Sequence, residues 1–241
     1  MNILAFDTCF DACSACVART QGSSVEQLAS VSERFETGHA ERLMPMIENV
    51  MARSGMTFGQ LDRIAVTIGP GTFTGTRIGV AAARGLALAT GISLVGASSL
   101  AVMAIVARDR LDAGDAGPVP APGFDLMIAV DARRGEVYAQ LFDATGVRAK
   151  SPPRVLAVEA AAQLGGGSLL VAGSGADAVA AAARHNGCNV TGCLPELLPE
   201  ATALARVAAG LAATDSPLQP LYLRAPDAKP QEGKAVARAQ P

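Results

Sequence analysis

Ile64-Ala65-Val66-Thr67-Ile68-Gly69-Pro70-Gly71-Thr72-Phe73-Thr74-Gly75-Thr76-Arg77-Ile78-Gly79 is the stretch whose reading decides the fold. Residues 64–68 read as a buried strand, the glycines interrupt it, and the Ala/Gly/Leu-rich run reads as a helix over 76–89 stopped by Gly91. A strand leading through glycines into a helix can present backbone N–H groups to an anion. This loop is not a Walker A sequence, because no Lys-Ser/Thr pair follows its last glycine. Nor does its Gly-x-Gly-x-x-x-Gly spacing fit the dinucleotide fingerprint. The same glycines also serve tight turns and close helix contact. We read the loop as a structural turn with a weak or vestigial anion site.

Working outward, Ile3–Phe6 reads as a strand ending at Asp7, with a hairpin partner over 12–18. A helix is expected over 41–53, and a short strand over 92–95 leads into a helix over 99–108. The pattern then restarts. A strand over 126–130 ends at Asp131, its hairpin partner covers 137–142, and 169–172 enters Gly173-Ser174-Gly175 and a helix over 177–184. Placing Asp131 on Asp7, an offset of 124 residues, aligns strand with strand and hairpin with hairpin. This predicts a duplicated α/β unit with a cleft between its halves. The expected lobes are 1–110 and 111–224, the second ending in a helix over 201–213 and an apolar element at 221–224. A Gly/Pro-rich seam covers 112–123, and a polar, disordered tail is expected over 225–241.

Half of the 241 residues are apolar, enough for a sizeable core, and 22 acidic against 20 basic side chains give a net charge of -2. Bulk charge therefore gives no sign of nucleic-acid binding. Cys9, Cys13, Cys16, Cys188 and Cys193 are odd in number, which argues against a disulfide framework and for a reducing compartment. A four-thiolate zinc site would have to use Cys13 and Cys16, which a strand places poorly; small buried hydrophobes are the better reading. No metal site is expected. The first residues lack the pattern of a secretory signal, and the apolar run over 94–107 is too short to span a bilayer. A cytoplasmic protein without membrane contact is the expectation.

Asp7 and Thr8 at a strand end could hold a metal and its phosphate ligands, or could simply start a turn. Asp131 poses the same choice. With Gly69, Gly71 and Gly75 these form a weak or vestigial cofactor site. His39 and His185 are the only histidines, and neither lies near a nucleophile elbow, so no catalytic residue is assigned. The helices offer another use. Helix 76–89 carries Gly79, Ala82 and Gly85 with Ile78 and Leu86, and helix 41–53 carries Leu43, Met44, Ile47 and Met51. Small residues permit close approach and methionine adapts to a partner surface. Together with His39 these ten form the expected partner interface, although both stripes could equally face the protein's own core.

The chain resembles the bacterial TsaB (YeaZ) family. The resemblance rests on Ile3-Leu4-Ala5-Phe6-Asp7-Thr8, His39-Ala40-Glu41-Arg42-Leu43, the Gly69–Gly79 segment, Asp131-Ala132-Arg133-Arg134-Gly135-Glu136-Val137-Tyr138 and Tyr222-Leu223-Arg224. It implies a two-lobed ASKHA (actin-like ATPase, RNase H-like) fold with duplicated βαβ units. It also implies a non-catalytic subunit of the complex that transfers a threonylcarbamoyl group to N6 of adenosine 37 in tRNAs reading ANN codons. ATP and a divalent metal then belong mainly to the paralogue TsaD, which forms a heterodimer with TsaB. TsaE joins the larger complex, tRNA is met through the complex, and a homodimer can use the same helices. The metal-binding His-x-x-x-His pair of TsaD is absent, because Leu43 stands four residues after His39. A weak ATP-binding or ATP-hydrolysing enzyme is the alternative, with a glycoprotease ranked last.

Overall fold

The structure is a computed structural model and describes residues 1–21, 24–117, 123–164, 168–213 and 217–224. Part of the expected seam (118–122) and the expected tail (225–241) lie outside the described residues. The chain runs β1 (Asn2–Asp7), β2 (Ala12–Gln21), β3 (Ser24–Arg34), α1 (His39–Ser54), a 3-10 turn at Phe58–Gln60, β4 (Arg63–Thr67), α2 (Phe73–Thr90), β5 (Ser93–Ala97) and α3 (Ser99–Asp112). It continues through β6 (Asp125–Asp131), β7 (Glu136–Phe142), β8 (Arg154–Ala157), α4 (Val158–Ala161), β9 (Leu169–Ala172), α5 (Ala176–His185), β10 (Val190–Cys193) and α6 (Ala201–Ala209).

Two five-stranded sheets result, ordered β3-β2-β1-β4-β5 and β8-β7-β6-β9-β10. Each has an antiparallel hairpin at its centre and a parallel partner on the other side: β1 with β2 and β4, and β6 with β7 and β9. The strand orders are the same, so the two lobes repeat one plan. Both central strands also end at an aspartate, Asp7 and Asp131.

Side-chain alternation along β1 explains the layering. Ile3 and Ala5 point toward a core shared with α3, α6 and the Leu126, Ile128 and Val130 face of β6. Leu4 and Phe6 point the other way, against Leu43, Ile47 and Val50 of α1. A third cluster joins Met127 and Ala129 to Val179 and Ala183 of α5. Chain order and packing cross over at the seam. α3, from the first half, contacts β6 and β7, whereas α6, from the second half, lies on the first sheet.

The sequence patterning misses β3, β8 and β10. β3 is a sheet edge with Glu26, Gln27 and Glu33 exposed, and β8 and β10 are four-residue edge strands, too short to establish a period. The last helix stops at Ala209 because the chain turns at Gly210, short of the expected end at 213. Residues 221–224 form no strand, although the Leu221 amide donates to the Ile68 carbonyl at 2.7 Å.

Candidate functional site

The glycine loop is folded onto the turn after β1. The Thr72 amide donates to the Cys9 carbonyl at 2.6 Å, and the Gly75 amide donates to the Thr72 hydroxyl at 3.1 Å. Thr8 Oγ1 donates to the Gly75 carbonyl at 2.7 Å. A Cβ at Gly71 would lie 2.4 Å from the Cys9 carbonyl oxygen, and one at Gly75 would lie 2.1 Å from that of Thr8. Gly79 is equally tight, 2.5 Å from Thr8 Oγ1. At Gly69, φ is +104°, a conformation that glycine takes readily. The glycines thus let α2 press against the β1–β2 turn. Two of the amides that a phosphate would need, Thr72 and Gly75, already have protein acceptors.

Asp7 lies beneath this contact, only 1% exposed. Its Oδ1 accepts from the Thr67 hydroxyl and from the Cys9 amide, while Oδ2 is buried without a partner. Loss of hydration pushes its pKa up to about 6, and the Thr67 hydrogen bond opposes that rise. The Cys9 thiol beside it is pushed far above its ordinary value, chiefly by burial and then by the Asp7 charge. It is a buried, unreactive thiol. Thr8 is fully buried as well. Asp131 differs: it is exposed on the interlobe cleft, its amide donates to Ser174 Oγ and its Oδ1 accepts from the Arg133 amide. Equivalent aspartates therefore occupy opposite environments, and the structure does not bring them together in one solvent-filled site. Among the described residues no group of three or more His, Cys, Asp or Glu side chains converges as a metal would require. Cys13 and Cys16 face opposite sides of the first sheet, and Cys188 is exposed at a distant turn.

The expected interface residues divide sharply by orientation. Leu43, Ile47 and Met51 are buried under α1, and Gly79 is buried under α2. His39 is buried too, with Nε2 2.7 Å from the Phe10 carbonyl and its ring edge-on to Phe35. These five are used by the chain's own packing, because both helices must cover the apolar face of the first sheet. Ile78, Ala82 and Leu86 are half-buried against the same cluster, while Met44 and Gly85 face outward. The surface stripe of α2 is instead Phe73, Arg77, Ala81, Arg84 and Leu88, with Leu88 90% exposed. Sequence reasoning offered Leu88 as bulk on this helix but missed Phe73 and Arg77 as surface groups. The i, i+4, i+8, i+11, i+15 spacing of the stripe was the available signal.

A family model described as TsaD, tRNA N6-adenosine threonylcarbamoyltransferase, matches residues 30–193. A chain from Mycobacterium tuberculosis (strain ATCC 25618 / H37Rv), itself called uncharacterized, is 35% identical over 233 residues, 95% of this chain and 94% of its own length. The Escherichia coli (strain K12) tRNA threonylcarbamoyladenosine biosynthesis protein TsaB is 36% identical over 138 residues, 57% of this chain and 53% of that protein. A Pseudomonas aeruginosa crystal structure described as similar to peptidase YEAZ superposes with a TM-score of 0.74 at 27% identity. That match covers 92% of this chain and 99% of the other. The chain belongs to the TsaB (YeaZ) family of TsaD paralogues. Its two like lobes have the ASKHA architecture of that family. Within this TsaB-family chain, Asp7 is sealed from solvent and the Thr72 and Gly75 amides of the glycine loop donate to neighbouring protein oxygens.

Proposed function

We propose that this chain is a non-catalytic, activating subunit of the complex that transfers a threonylcarbamoyl group to N6 of adenosine 37 in tRNAs reading ANN codons. The observation that carries the reading is the contrast between Asp7, which is sealed from water, and Leu88, which is bared on α2. A catalytic ASKHA site needs its strand-end carboxylate open to metal-bound phosphates, whereas a docking subunit needs apolar helix surface. ATP and a divalent metal are assigned mainly to TsaD, with TsaE joining the cytoplasmic complex and tRNA approached through it. The outward faces of α1 and α2, centred on Met44, Gly85 and Leu88, are the proposed TsaD contact. A second copy of the chain would compete for the same faces.

The half-buried Ala82 and the exposed Gly85 give the direct check on docking. An aspartate at either place would bury an unpaired charge in the heterodimer. Co-purification with TsaD is expected to fail for Gly85→Asp while the isolated variant melts as the parent does; full retention of TsaD would move the contact elsewhere. The function itself is tested by reconstituting threonylcarbamoylation of tRNA with TsaD and TsaE, with and without this chain. Equal rates would overturn the reading. The rival, an ATP-hydrolysing enzyme, requires an Asp7-dependent turnover by the isolated chain. We expect negligible turnover.

A further inference from the structure

The groove beside the α2 N-terminus is built from three segments far apart in sequence. Phe73 and Arg77 come from α2, Arg133 and Tyr138 from the β6–β7 hairpin, and Tyr222 and Arg224 from the last described residues. Two adjoining hollows of about 210 and 310 Å³ share Phe73, Tyr138 and Arg224 in their walls. The chain has two tyrosines, and both line this groove. Phe73 and Tyr222 stand with ring centroids 6.1 Å apart, 30° from parallel, and they are 56% and 50% exposed. The Arg77 guanidinium carbon lies 3.4 Å from the Phe73 ring centroid, and its Nε donates to the Tyr222 hydroxyl at 2.6 Å.

The charge of the groove is unlike that of the chain. Its walls carry Arg77, Arg133 and Arg224 against the single acid Asp131, in a protein whose net charge is -2. Arg224 is balanced by Glu136, but Arg77 and Arg133 have no carboxylate partner among the described residues. Arg133 is also held at φ +63°, a left-handed conformation that costs free energy at a non-glycine residue. The Asp131 carboxylate fixes it there by accepting from its amide at 2.8 Å. The segment bearing Tyr222 is pinned to both lobes, through the Leu221 amide on Ile68 and the Arg224 side chain on Ala132 and Glu136. Exposed rings flanked by guanidinium groups whose charge no carboxylate neutralises match a nucleic-acid strand, whose bases stack and whose phosphates are anionic. The second Asp131 oxygen supplies an acceptor for a ribose 2′-hydroxyl, the group that distinguishes RNA from DNA.

From this juxtaposition of Phe73, Tyr222, Arg77 and Arg133 we infer that the groove binds unpaired nucleotides of RNA. The inference rests on the proposed role in tRNA modification, and names the surface of this subunit that meets the RNA. The test is fluorescence anisotropy with a labelled, unstructured RNA dodecamer and an unmodified tRNA transcript, using the chain alone and its mixture with TsaD. Phe73→Ala and Tyr222→Ala should each weaken RNA binding by at least about fivefold. Arg133→Ala should flatten the dependence of log K on log salt by about 0.7. Both aromatic side chains are exposed, and matching melting curves would establish that the variants fold.

Absence of saturable RNA binding would overturn the inference. So would parental affinity in both aromatic variants, equal affinity for a DNA dodecamer, or displacement of RNA by free AMP at matching concentration. Loss of TsaD by Phe73→Ala with RNA affinity unchanged would make the groove a protein surface and overturn it as well. The tRNA-modification rate is measured beside these titrations. Stimulation by the parent together with parental RNA affinity in the variants sinks this inference alone; no stimulation sinks the functional reading.

Discussion

The Thr72 amide donates to the Cys9 carbonyl at 2.6 Å, tying the first residue before α2 to the turn that follows β1. That bond turns the glycine loop inward. The close approach it requires explains Gly71 and Gly75, where an added methyl group would strike backbone oxygen atoms of Cys9 and Thr8. Gly85 lies on the same helix with nothing within 4 Å of its missing Cβ.

These glycines give opposite expectations for one substitution. Gly75→Ala should destabilise the fold by about 1–3 kcal/mol through overpacking against backbone that cannot retreat. Gly85→Ala should stabilise it by roughly 0.5–1 kcal/mol, because alanine loses less entropy on entering a helix. Urea denaturation of both variants checks the pair. Equal midpoints would show that α2 does not press on the β1–β2 turn.

Asp7 makes stability depend on pH. Burial raises its folded-state pKa from 3.8 to about 6, so the folded chain holds a proton that the unfolded chain releases. Its contribution is full below about pH 4, declines as pH rises toward 6, and is flat above. Asp7→Asn should remove that slope and raise stability at pH 7 by about 1–2 kcal/mol. The gain stays modest because the new amide donors sit where Oδ2 has no partner. Thermal melts of both proteins from pH 4 to 7 measure it; an unchanged slope in the variant would assign the titration to another group.

Much of this was legible in the sequence, for particular reasons. Strands ending at Asp7 and Asp131 announced the repeat, because a buried central strand is a short apolar run whatever surrounds it. Edge strands such as β3 carry no such mark: Glu26, Gln27 and Glu33 face solvent there. Periodicity identified the apolar stripe of α1 but could not say what covers it. The sheet does, through Leu4, Phe6 and Val17 against Leu43 and Ile47. The pairing of Phe73 with Tyr222 was out of reach altogether, since it depends on where residues 221–224 cross between the lobes.

Arg63 links the two halves of the chain. Its guanidinium Nη1 donates to the carbonyls of Ala208 at 2.5 Å and Leu211 at 2.7 Å, closing the C-terminal end of α6. Ala208 sits in the last turn of α6, at the negative end of the helix dipole, and its carbonyl also accepts from the Leu211 amide at 3.2 Å. Arg63→Ala should cost roughly 1.5–3 kcal/mol, the range for hydrogen bonds from a charged donor. Amide exchange should accelerate first in α6, since that helix holds the first sheet to the seam. Exchange unchanged in α6 would show that its packing alone fixes it.

Leu43 and Leu88 separate folding from docking. Leu43 is buried against the first sheet, so Leu43→Ala should destabilise the chain by about 2–5 kcal/mol through the cavity it leaves. Leu88 is 90% exposed on α2, and Leu88→Ala should leave stability within about 0.5 kcal/mol of the parent. If the outer face of α2 is the docking surface, Leu88→Ala should nonetheless weaken association with TsaD by about tenfold, the ordinary effect of truncating an apolar side chain buried at an interface. Calorimetric titration of each folded variant against TsaD decides between the two roles. A Leu88→Ala variant that binds TsaD as the parent does would leave α2 without its proposed use, because its inward residues are already committed to the core.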